Sequence, residues 1–336
     1  MMKVFKRSFI CILIVLFIAL IHTALWAQEN DTKTILFKDG TAITGVIIKM
    51  NNEIVKLKTS NEEIVTRNFD DIVDILGENE IEKLSVSKNA GEPLIAKHTW
   101  EIGPEISHIR YEEPSLNMEE NGVMYGIGAS YAYHNGVMLK GEIGYSYGYV
   151  DYKGTGTVDN IEDYLLEIRG LAGYDFFITE SSMITPYIGF GYRQLYDNFG
   201  GTISSTGTWG YDRESKYCYI PIGIETFSDI SNGWFFGITA EFDYFLEGKQ
   251  TSYLSGHDPG YNDPENKQKD GYGFRGSLKF QKKGERIGYI IEPFIRYWKI
   301  DKSEIENITY NGTYLTYGWE PENKSTQIGI MFMVVF

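Results

Sequence analysis

The chain is 336 residues long, and its 46 acidic residues outnumber 31 basic ones for a formal net charge of −15. So acidic a chain repels phosphate backbones, which argues against nucleic acid as a partner. It has two cysteines, Cys11 and Cys218; the first lies in an apolar leader, so the exported chain can build neither an intrachain disulfide nor a thiolate metal cluster.

Residues 1–27 place Lys3, Lys6 and Arg7 ahead of an apolar stretch from Phe9 into Leu20, and end in Leu25-Trp26-Ala27 before Gln28. A secretory signal peptide has that order, with cleavage after Ala27. An inner-membrane anchor is the competing reading, since the apolar stretch approaches the roughly 20 residues that span a bilayer, but His22 and Thr23 interrupt it. Removing the leader takes away three basic residues and no acidic ones, leaving 28 against 46, a net charge of −18. No later run reaches about 18 apolar residues, so no spanning helix is available.

Residues 33–76 read as five short strands, Thr34 to Phe37, Ala42 to Met50, Glu53 to Thr59, Ile64 to Asn68 and Ile72 to Leu76, with turn signals such as Lys38-Asp39-Gly40 and Asn51-Asn52 between them. Strands so short and so closely spaced point to a small closed barrel. The string ILFKDGTAITGVIIKMNNEIVKLKTSNEEIVTRNFDDIVDIL, with Gly45 in a bent second strand, resembles the small SH3-like or Sm-like barrels found ahead of other modules in exported bacterial proteins. The resemblance implies a periplasmic spacer or docking module with a periplasmic protein as its partner. Sm-type RNA binding does not carry over, since no RNA-contact motif is present. Residues 77–97, charged and punctuated by Gly77, Asn79, Asn89, Gly91 and Pro93, read as a linker with a short helix near Ile81 to Leu84.

From residue 98 to residue 336, apolar and polar residues alternate in ten segments: Thr99 to Arg110, Gly122 to Tyr133, Val137 to Tyr149, Tyr164 to Phe177, Ile184 to Leu195, Tyr217 to Phe227, Trp234 to Leu246, Tyr272 to Lys282, Ile287 to Ile300 and Gln327 to Phe336. Each is about as long as a tilted strand that crosses a bilayer. Connections after the even segments are short, as at His134-Asn135-Gly136, whereas those after the odd segments reach Tyr196 to Lys216, Glu247 to Gly271 and Asp301 to Thr326. Brief turns at one end and long loops at the other predict an antiparallel transmembrane β-barrel of about ten strands, with the long loops outside and both chain ends periplasmic.

Parity separates two faces. Trp234, Phe236, Ile238, Ala240, Phe242, Tyr244 and Leu246 suit lipid, and their neighbours carry the charges. Applied throughout, this rule places Glu101, Glu105, Lys140, Glu142, Glu167, Arg169, Arg193, Glu225, Glu241, Asp243, Arg275, Lys279, Glu292 and Arg296 in the lumen, interleaved with glycines such as Gly191 and Gly223. In a barrel barely wider than the eight-stranded kind, such acids and bases form either an ion-pair core or a narrow polar pore. Tyr145, Tyr147, Tyr149, Tyr174, Phe176, Phe177 and Tyr297 suit interfacial girdles. Trp209, Tyr211, Tyr317 and Trp319 could instead line a carbohydrate stripe.

The last segment alternates at Ile328, Ile330, Phe332, Val334 and Phe336, and resembles the closing strand of a bacterial outer-membrane β-barrel. The resemblance implies a Gram-negative outer-membrane location, lipid around the barrel, and assembly through that strand by the barrel assembly machinery. Ten-stranded omptin proteases and lipid A-modifying acyl hydrolases are barrels of this kind, but no omptin-like Asp-His arrangement matches residue by residue. Of the histidines after the leader, His108 falls near the outer rim and His257 in a long loop; His108 has Ser107 and Glu105 close in sequence, but adjacent strand residues face opposite sides. Asp258, Asp263, Glu265 and Asp270 lack the spacing of a calcium loop. No cofactor or metal is expected; the leading reading is a non-enzymatic outer-membrane protein, ahead of a channel for small polar solutes and a hydrolase.

Overall fold

The computed structural model describes residues 32–50, 54–59, 63–77, 94–284 and 286–336. The signal peptide expected over residues 1–27 and most of the expected linker, residues 78–93, lie outside the described residues. The chain divides into two compact units, residues 1–93 and 94–336.

In the first unit, β1 (Thr32–Phe37), β2 (Ala42–Met50), β3 (Ile54–Lys58), β4 (Ile64–Asn68) and β5 (Ile72–Gly77) form an antiparallel sheet in the order β4-β3-β2-β1-β5. Alternation puts Ile35, Phe37, Val55 and Leu57 into one small core, against which Ile43, Ile47, Ile72 and Ile75 pack. At the first turn, Asp39 accepts from the Thr41 backbone N–H at 2.9 Å, and Arg67 pairs with Asp39 at 3.1 Å. A Cβ on Gly45 would lie 2.4 Å from the Lys58 carbonyl oxygen, so only glycine lets β2 approach β3 there. The closed barrel expected here is seen as a five-stranded sheet, with no ladder between β4 and β5 among the described residues.

The second unit contains ten long strands: β6 (His98–Glu113), β7 (Met118–Asn135), β8 (Val137–Gly154), β9 (Gly156–Tyr174, continued after Asp175 by the short β10, Phe176–Thr179), β11 (Ser182–Asn198), β12 (Asp212–Ser231), β13 (Trp234–Tyr253), β15 (Gly271–Lys282), β16 (Gly288–Ile300) and β19 (Asn323–Val335). The short β14 (Glu265–Gln268) pairs with β13, and β17 (Glu306–Tyr310) with β18 (Thr313–Gly318) makes a separate hairpin. Each long strand pairs antiparallel with its sequence neighbour, and β19 pairs back on β6 from Lys324↔Glu112 to Val335↔Glu101. The ring is therefore a closed ten-stranded antiparallel barrel without a free edge, which leaves no unpaired ladder for hydrocarbon to meet.

All ten expected segments are staves of this ring, but the strands outrun them. β12 and β13 have 20 residues each and β9 has 19, well beyond the 9–11 that cross a bilayer. The expected longer connections after the first and third segments are consumed by this growth: β6 and β7 are joined through the 3-10 turn Pro114–Leu116, and β8 and β9 through Thr155 alone. The backbone keeps pairing past the apolar belt because a paired ladder satisfies groups that an open loop would leave to water. At the opposite end the Asn135-Gly136 turn is tight, with Gly136 at φ +76°, a conformation that glycine adopts without strain.

Exposure alternates residue by residue, as in β6, where Ile102, Ile106 and His108 point outward and Glu101, Glu105 and Ile109 inward. Outward side chains form an apolar belt including Ile127, Ile143, Ile188, Phe190, Ile238, Leu278, Ile295, Ile328 and Phe332. Trp100, Tyr174, Trp234, Tyr289 and Phe336 edge it at the short-turn end, and Tyr149, Tyr272 and Tyr297 at the other. One bulge resets the parity: Tyr219 pairs with Phe245 but Cys218 with Glu247, so Leu246 and Glu247 both face outward and the inward set shifts to Gly248, Gln250 and Ser252. A basic side chain at the middle of this belt should cost about 2–4 kcal/mol. Ile238→Arg is expected to lower the urea stability of the refolded barrel in vesicles by about that amount, and an unchanged midpoint would show that this face does not meet hydrocarbon.

Candidate functional site: the lumen and its outer mouth

The inside of the barrel is filled in layers. At the short-turn end Leu94 and Ile95, from the segment read as linker, pack on Met183, Phe227 and Phe235; the two phenylalanine rings are stacked 5.0 Å apart. Beside this seal, His134 Nδ1 lies 3.0 Å from Asp175 Oδ2 and the Thr185 hydroxyl donates to Asp175 Oδ1 at 2.7 Å. Threonine and histidine both bond to the carboxylate, so this trio pins the break between β9 and β10 and offers no activated nucleophile.

Above it lies the belt of charges. Lys140 pairs with Glu225 at 2.7 Å and Glu142 at 2.9 Å; Arg169 with Glu241 at 2.7 Å and Glu142 at 3.1 Å. Arg275 pairs with Glu167 at 2.7 Å and Glu241 at 3.1 Å. Lys279 reaches Glu101 at 2.9 Å and Glu292 at 3.8 Å, and Arg296 reaches Glu105 at 3.2 Å. Arg193 and Asp243, each 1% exposed, sit in the same interior, and Arg193 Nη1 and Asp243 Oδ1 lack hydrogen-bond partners. Around the ring, Lys140 and Glu225 stand three strands apart, and Glu167 and Arg275 four. Such contacts can only run through the lumen.

Two glycines make this possible. A Cβ on Gly191 would lie 2.2 Å from the Tyr219 ring, and one on Gly223 2.5 Å from the Tyr187 ring. The tyrosines lie flat over these gaps and carry their hydroxyls to Glu167 (2.8 Å) and Glu241 (2.7 Å). Higher still, Tyr217, Tyr219, Phe245, Trp298 and Ile300 form a buried aromatic cluster, and Ile109, Met124, Val150, Ile161 and Leu165 a second apolar one.

The mouth at the end opposite the short turns, beyond the belt, holds a group of residues that sequence reasoning missed. Arg213 bonds Asp197 at 2.8 Å, Glu113 at 3.2 Å and also Glu120. The Tyr111 hydroxyl lies 3.1 Å from both Glu113 and Glu320, and Asp163 faces Asp197, Glu120 and Arg213. Arg213 and Glu113 stand on strands five apart in a ring of ten, so this contact crosses the full diameter. Burial pushes the Glu120 carboxyl up to about 8 against the pull of Arg213, with Asp197, Glu113 and Glu320 adding to the rise. Burial and then Glu113 raise Glu320 likewise to about 8, and burial holds Asp163 well above the carboxylate range. These residues were hidden because they fall where loops were expected. The signal was present, since Tyr111 and Glu113 continue the inward parity of Ile109.

The other candidates are dispersed. His108 is exposed on the outward face, while Ser107 points inward, donating to Glu105 at 3.3 Å and accepting from Gln327 at 2.9 Å. The Trp209 ring lies tilted against His257 at 4.7 Å and Tyr317 tilted against Trp319 at 6.1 Å, and Tyr211 is half-buried beside the Arg213 group. Asp263 caps Ser255, Asp258 caps Gly260, and Glu265 pairs with Lys249. Among the described residues no group of three His, Cys, Asp or Glu is placed to hold a metal ion.

No family model matches the sequence, and no curated protein does. Among solved structures the chain is similar to the outer membrane protease OmpT from Escherichia coli (9% identity, 71% of this chain and 96% of that one, TM-score 0.47). It is also similar to the Pseudomonas putida toluene transporter TodX (9%, 73% and 92%, TM-score 0.28) and to Neisserial surface protein A (11%, 70% and 95%, TM-score 0.29). Likenesses this distant carry no functional inference, and the barrel assignment stands on the strand ladder.

Removing one member of a buried pair strands the other and costs about 3–5 kcal/mol. Arg275→Met is expected to destabilise the refolded barrel by about that amount, and adding Glu167→Gln should restore part of it. Urea titration read by heat-modifiable gel migration measures both, and equal stability of all three proteins would mean that the belt is not a structural core.

Proposed function

We propose that this chain is a non-enzymatic integral outer-membrane protein whose barrel is a closed platform rather than a conduit. It carries strand extensions and the β17–β18 hairpin outside, and an N-terminal module inside. The observation that supports this best is the crossing of the lumen, by Arg213 to Glu113 at the mouth and by the Lys140, Arg169, Arg275 and Lys279 pairs below it. The apolar belt supports the membrane location, and hydrocarbon would surround it.

The orientation follows from the strand count. Trp100 and Phe336 exchange backbone hydrogen bonds of 2.8 and 3.0 Å, so the entry to β6 and the C-terminus share the short-turn end, which is periplasmic in such barrels. On this reading the five-stranded sheet hangs in the periplasm and acts as an SH3-like docking module for a periplasmic protein. Ile328, Ile330, Phe332, Val334 and Phe336 would serve as the assembly signal. A narrow channel is the second reading, favoured by the unpaired polar atoms of Arg193 and Asp243 in the lumen.

Planar-bilayer recording of the refolded barrel separates the two. No stepwise current above the bare bilayer is expected, and unitary steps that disappear on heat denaturation would overturn the closed-platform reading.

A further inference from the structure

Five carboxylates, those of Glu113, Glu120, Asp163, Asp197 and Glu320, gather at the outer mouth around one guanidinium, Arg213. Every one is nearly buried: Asp163 is 3% exposed and Glu320 7%. Asp163 Oδ1 and Asp197 Oδ1 have no hydrogen-bond partner. Fully ionised, the group would carry four uncompensated negative charges out of water, an arrangement that buried groups escape by taking up protons. Protons rather than a metal are the ligand that fits, since no three of these groups are placed to hold an ion.

Glu320 differs from the other four in its mounting. The others project from β6, β7, β9 and β11, whereas Glu320 sits on the connection between β18 and β19. Its backbone N–H donates to Ser303 Oγ at 2.7 Å, and its carbonyl accepts from Ser303 N–H at 3.0 Å. Its side chain reaches down to Tyr111, shared with Glu113. We infer that the outer mouth is a proton-operated latch, in which protons on Glu120, Asp163 and Glu320 hold the 301–322 connection down on the barrel and their loss at higher pH releases it.

The groups facing Glu320 are Glu113, Tyr111, Arg213 and, more distantly, Glu120, Tyr211 and Tyr217. Of these Arg213, by its charge, and Tyr111, by the hydrogen bond its hydroxyl donates to the Glu320 carboxylate, oppose release. The direction follows from linkage. The carboxyls of Glu120 and Glu320 are raised in the closed state, to about 8 from the ordinary 4.5, so the closed state binds more protons than the open one between those values. Closure is fully favoured below the ordinary carboxylate value and is lost as pH rises through about 8.

Hydrogen exchange with mass spectrometry on the full refolded chain, corrected for the intrinsic pH dependence of exchange, tests this independently of conductance. Peptides spanning 301–322 are expected to lose protection at least tenfold between pH 6 and pH 9, while the staves keep theirs. Glu320→Gln, neutral at every pH, should keep the connection protected at pH 9, and Asp163→Asn should do so in part, which guards against one variant failing to fold. Equal protection at both pH values in the wild type, the same loss in both variants, or loss spread evenly over the staves would each overturn the latch.

Discussion

Compensation of charge across a narrow lumen is the constraint on which the rest of this barrel depends. Ten strands enclose an interior that side chains from facing walls can bridge, and this chain sends acids and bases into it from nearly every stave. Buried ions must find partners, and here partners come from strands three, four and five positions away around the ring. Closure of β19 on β6 settles the backbone, while the cross-lumen pairs settle the side chains. The glycines under Tyr187 and Tyr219, which let those hydroxyls reach Glu241 and Glu167, take their place from that need.

Most of the fold was legible from alternation. A period of two, sustained across ten segments with a belt of Ile, Leu and Phe on one parity, leaves little else for a chain whose described residues hold no helix long and apolar enough to cross a membrane. Alternation says less about where a strand stops, because a stave that leaves the membrane exchanges lipid for water outside and keeps its inward pattern. Tyr111 and Glu113 continued the row of Ile109, although the first segment was expected to end at Arg110. Parity also fails at a bulge: the extra residue at Leu246 moves the inward set from Phe245 to Gly248, which no composition signal near Glu247 announces.

The lumen was legible as residue types but not as pairs. That Glu142 would serve both Lys140 and Arg169, or that Glu241 would join Arg169, Arg275 and Tyr187, depends on strand tilt and register, which the sequence does not state. Leu94 and Ile95 were read as linker for a related reason, since two apolar residues beside Pro93 carry no periodicity. Only the nearness of Met183, Phe227 and Phe235 gives them a place.

Glu241 also bears on how this sequence can drift. Its carboxylate meets groups from β9, β11 and β15 at once, so any replacement there needs accommodation on three other staves before the interior is again neutral and filled. An outward isoleucine such as Ile238 needs only another apolar side chain. Tolerated substitutions in this chain should therefore accumulate on the lipid face and the outer hairpins, while lumen positions change rarely and in groups. A lineage of such barrels can then lose recognisable sequence on its outside and keep the same interior wiring.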